Sequence, residues 1–132
     1  MSDKITISLK DIKNELEDIE NYFNSLYKPL SKALSRINFI PKSSFKKYYK
    51  QIDIINKEVK TLCDRLFELK RHILENYDIY DDEVNRILTY ANALYNYIRT
   101  SLTSLEYFKM KMRAIEDSTT IEDFLFVPGE IP

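Results

Sequence analysis

Glycine is almost missing from this chain: there is one among 132 residues, alongside four prolines. A sandwich or barrel of short strands needs a tight turn at every strand end, so this scarcity excludes an all-β fold and calls for a few long elements. The single cysteine, Cys63, excludes an internal disulfide and a multi-cysteine metal site, and fits a reducing cytosol. Histidine is as scarce, with His72 alone, so no cluster of soft metal ligands can form and neither a metal nor a cofactor is expected. No apolar run approaches the roughly 18 to 20 residues of a membrane span, and residues 1–7 lack the basic start and apolar core of a signal peptide. A soluble, cytoplasmic protein without membrane association is the expectation. Neither sign of charge predominates, with 20 Lys and Arg against 21 Asp and Glu. Binding to nucleic acid would therefore be local and not driven by a global field.

What the chain does contain is heptad periodicity. From residue 81 to 115, Val84, Ala91, Ile98, Leu105 and Met112 form one line, interleaved with Ile87, Leu94, Ser101, Phe108 and Ile115. Steps of three and four place these side chains on one helical face, with Ser101 the only polar member and Leu102 beside it able to fill the gap. Phe45, Ile52, Val59, Leu66 and Ile73, with Tyr48, Ile55, Leu62 and Leu69, repeat the pattern. So do Leu9, Leu16, Phe23, Leu30 and Ile37, with Ile12, Ile19, Leu26, Ala33 and Ile40. Ser8 with Asp11 reads as the N-cap of the first helix, and Ser43 or Ser44 as that of the second.

The predicted elements are helices over residues 8–40, kinked near Pro29, then 44–77 and 81–116, preceded by loose residues 1–7 and followed by an acidic tail, 117–132. Short connections make neighbours antiparallel, so the fold class is all-α, an elongated up-down-up three-helix bundle. A long hairpin completed by a second copy is the alternative arrangement.

Charge is uneven along this rod. Nine basic residues face four acidic ones between Lys42 and His72, while residues 116–132 hold five acidic residues and no basic one. Between Lys42 and Lys50 lysines alternate with aromatic residues. Lysines neutralise phosphates and an exposed tyrosine stacks on a base, so Lys42, Lys46, Lys47, Tyr49, Lys50 and Lys57 are the candidate nucleic-acid contacts, with Phe45 and Tyr48 assigned to the core.

Catalysis has little to work with. Cys63 and His72 lie nine residues apart on one helix, too far for a nucleophile and its base. Arg65 and His72 enclose six residues, a spacing that resembles the arginine and histidine of the helical HEPN ribonucleases, although Leu66 stands where that family usually has a polar residue. The resemblance implies RNA cleavage in a cleft, often between two copies.

The tail carries the other resemblance. STTIEDFL, residues 118–125, resembles the PIP box by which replication and repair proteins bind the sliding clamp, in its archaeal form, with Thr120 before the aliphatic Ile121, and with Phe124 as the first of the aromatic pair and Leu125 in place of the second. Ser118 stands where the family has Gln. The resemblance implies that Ile121 and Phe124, with Leu125, plug a clamp pocket from one helical turn, which their i, i+3, i+4 spacing permits. Alternatively, Thr119 and Glu122 form a capping box and the apolar cluster folds back over the bundle's end. The functional expectation is a non-enzymatic interaction module, an accessory protein of DNA replication or repair that binds a clamp through its tail and DNA or another protein through a basic helix face. A scaffold subunit forming a homo-oligomer and a small HEPN-like ribonuclease are the alternatives.

Overall fold

The computed structural model describes the backbone of residues 6–125 and the side chains of residues 6–118. Three helices fill it: α1 is Leu9–Leu34, α2 is Phe45–Asn76 and α3 is Asp82–Leu125. Two short 3-10 turns, Ile37–Phe39 and Lys42–Ser44, connect α1 to α2. Each helix packs against the other two. The fold is thus the all-α three-helix bundle that the heptads predict.

Contacts between helices set their directions. Glu15 reaches Arg65 and Tyr22 reaches Glu58, so numbers fall along α2 as they rise along α1, and the pair is antiparallel. Tyr49 reaches Glu116 while Phe67 packs at a tilt against Tyr95, which makes α2 and α3 antiparallel too. Tyr90 meets Glu20 and Tyr97 meets Asn24, so α1 and α3 run parallel. At 1.5 Å per residue α2 is a rod of about 48 Å.

The core follows the seams with small departures. Every member of the second helix's main line, and of the third's, is buried. Ser101 is buried as well, and its hydroxyl donates to the Tyr97 carbonyl at 2.7 Å, one turn back. The polar break in the seam is therefore satisfied internally, and Leu102 stays half-buried beside it. In α1 the seam shifts after Pro29, and Leu34 is fully buried in place of Ala33. A straight helix drifts about 20° per heptad against a strict seven-residue repeat, so the next residue round takes over the inward position.

Helix ends are set by local hydrogen bonds. The Ser8 hydroxyl accepts from the Asp11 amide at 3.1 Å, as its position predicts. Asp81 caps α3, accepting from the amides of Glu83 at 2.8 Å and Val84 at 3.2 Å. α1 stops at Leu34, six residues before the predicted end at 40, because its last turn tightens: the Arg36 amide bonds the Ala33 carbonyl at 3.2 Å. Pro41 then holds Ile40 in an extended conformation, and Ile37 is buried from the 3-10 turn instead of from a helix. Pro29 lies inside α1, which stays one helix through it. No side chain caps α2; the turn Lys42–Ser44 winds directly into it. α3 continues past 116, the predicted end, to Leu125, with no Gly or Pro to stop it before Pro128.

Candidate functional site

The end of the bundle where α1 finishes and α2 begins is strongly basic. Between residues 21 and 57, Lys28, Lys32, Arg36, Lys42, Lys46, Lys47, Lys50 and Lys57 stand against Asp53 alone. All eight side chains are exposed, and among the described residues none of them forms an ion pair. Asp53 is matched instead by Lys109 of α3, at 3.8 Å. The sequence alone singled out Lys42, Lys46, Lys47, Lys50 and Lys57. Lys28, Lys32 and Arg36 join them only because the chain turns back on itself here.

Local electrostatics make the arrangement unfavourable by itself. The first turn of α2 has no acidic residue and carries Lys46 and Lys47, where the positive end of the helix dipole favours a carboxylate. The opposite end of the rod has the reverse balance, with Glu15, Glu17, Asp18 and Glu20 on α1 and Asp78, Asp81, Asp82 and Glu83 before and at the start of α3. Charge is thus separated along the bundle although the total is near zero.

Tyr49 departs from its expected role. It is half-buried, and its hydroxyl donates to Glu116 Oε1 at 2.9 Å, tying α2 to α3. Burial first, and then the carboxylate that accepts its proton, push the phenol up to about 12. A ring held this way braces the helices and is not a free platform for a base. Tyr48 is half-buried with Lys47 Nζ 5.7 Å from its ring centre, in line with its assignment to the core side.

Beside the lysines lies a groove of about 440 Å³ between α1 and α2. It exists because Ser25, Pro29 and Ala33 form one line of small side chains down α1, facing Lys47, Gln51, Ile54 and Ile55 of α2.

The residues weighed for catalysis are otherwise engaged. Arg65 Nη2 donates to both oxygens of Glu15 at 2.6 Å, and Nη1 to Glu68 at 3.2 Å. His72 Nε2 accepts the Ile7 amide at 3.0 Å, while the Tyr77 hydroxyl donates to the Ile7 carbonyl. Both ends of that peptide residue are pinned by the last turns of α2, closing the acidic end of the bundle. Burial pushes the Cys63 thiol up, which disfavours the thiolate that a nucleophile needs. Among the described residues no group of three or more His, Cys, Asp or Glu side chains could hold a metal, and no helix is long and apolar enough to cross a membrane.

Of the tail residues, Ser118 is exposed on α3. The side chains of Thr120, Ile121, Phe124 and Leu125, and of the proposed cap Thr119 and Glu122, lie outside the described residues. No family model, curated protein or solved structure matches this chain.

Proposed function

We propose that this protein is a non-enzymatic interaction module whose basic end binds the phosphate backbone of nucleic acid, DNA in the first instance, and whose C-terminal segment docks on a protein partner. One observation carries the first half: seven exposed basic side chains from two helices and their connection converge on one end, with Lys57 continuing them toward the middle of the bundle, and none of the eight has an ion pair among the described residues. Placing lysines on a helix N-terminus works against the helix dipole, and a polyanion relieves that cost by supplying the negative charge the site lacks. Because lysines dominate, the contact is chiefly to phosphates and indifferent to base sequence; Phe39, 87% exposed between Arg36 and Lys42, is free to stack on a base, which adds no sequence preference. The second half rests on the likeness of residues 118–125 to the clamp-binding motif, which names a sliding clamp as the partner and DNA replication or repair as the setting.

The basic end is tested by fluorescence anisotropy with a labelled duplex across a salt series. Binding should weaken steeply with salt, and Lys46→Glu with Lys50→Glu should weaken it for every sequence alike while making the dependence on salt shallower. Salt-insensitive binding, or none at low ionic strength, rules the reading out. The docking segment is tested separately by calorimetric titration of the clamp with the full chain, where Phe124→Ala should abolish the heat of binding.

A further inference from the structure

The groove between α1 and α2 is apolar on its floor and basic on its rim. Leu26, Leu30 and Ile55 line the floor, and Ile54 on the lip of α2 is 54% exposed. Lys47 lines the groove itself. Lys32 follows Pro29 by three residues and Lys50 precedes Ile54 by four, so each stands one turn from a lining residue, and both are exposed. Toward the middle of the bundle the channel is bridged where the Tyr22 hydroxyl donates to Glu58 at 3.1 Å. An occupant that suits this channel has an apolar face of about two turns and acidic flanks.

Such a segment is present in the chain. Residues 116–132 hold five acidic residues and no basic one. α3 remains helical to Leu125, and its Glu116 is level with Tyr49, four residues inside the start of α2 at Phe45. The last turn of α3 therefore runs past the level at which α2 begins. Helical spacing puts Ile121, Phe124 and Leu125 on one face, with Glu122 and Asp123 between them in sequence. These turns cannot enter the groove of their own molecule. Asn24 and Tyr27 face α3 through Tyr97, whereas Ser25, Pro29 and Ala33 face the channel on the other flank of α1. A straight α3 continues along the bundle axis, away from that flank.

We infer that the groove receives the last turns of α3 from a second copy of this chain. Ile121, Phe124 and Leu125 cover the apolar floor, and Glu122 and Asp123 approach the rim of Lys32, Lys47 and Lys50. A fourth helix then lies against α1 and α2, and its acidic residues meet lysines that have no ion pair among the described residues. The contact forms with this protein alone, and because it uses the same lysines and the same Ile121, Phe124 and Leu125 it would compete with nucleic acid and with a clamp.

Sedimentation equilibrium of the full chain over a wide concentration range, without nucleic acid, tests it. The weight-average mass should rise above that of one chain. Ile54→Lys, a change at an exposed position, should weaken association about tenfold or more, and Lys32→Glu with Lys47→Glu and Lys50→Glu should do the same. Adding Glu122→Lys and Asp123→Lys to that triple variant should restore part of the loss, while circular dichroism shows each variant folded. A single-chain mass at all concentrations overturns the inference. So does association that none of these substitutions changes, since it would use another face.

Discussion

Tyr49 shows what one hydroxyl does in this bundle. Its hydrogen bond to Glu116 exists only while the phenol keeps its proton, and its folded-state value stands at about 12 against an ordinary 10.0. A raised value means the unfolded chain gives up the proton first. The contribution to stability is full below pH 10, and it is lost as pH rises toward about 12. The stability difference between the native protein and Tyr49→Phe, followed by urea denaturation, should therefore be constant at neutral pH and shrink above pH 10. Tyr90, whose hydroxyl donates to Glu20 at 2.5 Å, is raised in the same direction by burial and then by that carboxylate. Leu66, fully buried on the main line of α2, tests the core itself: Leu66→Ala should cost about 2–5 kcal/mol in the same experiment. Leu66 was legible from its heptad position. The tyrosine partners were not, because each tyrosine sits on the flank of its seam and a flank reads as surface until the facing helix is known. Only the abundance of tyrosine, ten residues, hinted that something amphipathic lines the helix boundaries.

Among the elements, α1 is the one whose sequence and structure diverge most. Its seam of apolar residues continues to Ile40, which reads as one long helix. Periodicity registers only which residues point inward, and a 3-10 turn can bury Ile37 as well as an α-helix does. The amide of Arg36, drawn to Ala33, decides the matter at a scale below any heptad. α2 and the first nine turns of α3 were legible almost to the residue, since Ser44, Asn76 and Asp82 bound long uninterrupted seams. Pro29 gives an element-scale prediction. It is exposed in mid-helix, removes one backbone donor and crowds the preceding turn. Pro29→Ala should raise stability by about 1–3 kcal/mol, measured as a higher denaturant midpoint at unchanged slope. α2 supplies another. Lys46→Glu places a carboxylate in a first turn that has none, and should raise Tm by about 1–4 °C at low ionic strength and by less in high salt. The same substitution should weaken binding to a duplex, so stability and affinity move in opposite directions, as expected of a lysine kept in place for a ligand.

At the level of the whole molecule, antiparallel neighbours joined by short turns bring residues distant in sequence to one end. The basic site is the product of that return: Lys28, Lys32 and Arg36 are separated from Lys46 and Lys50 by the turn, and no local reading of either helix joins them. The charge separation that results has a geometric consequence. A rod positive at one end and negative at the other has an electric dipole along its axis, which would turn it before contact, so the proposed binding to a polyanion would be end-first. Standing upright, each molecule would cover only the width of three helices, about 20–25 Å or six to seven base pairs, and not the nineteen or so that the 44 residues of α3, about 66 Å, would span lying flat. Saturation of a duplex would then pack the protein as closely spaced bristles, with the acidic ends and the pinned Ile7 facing outward.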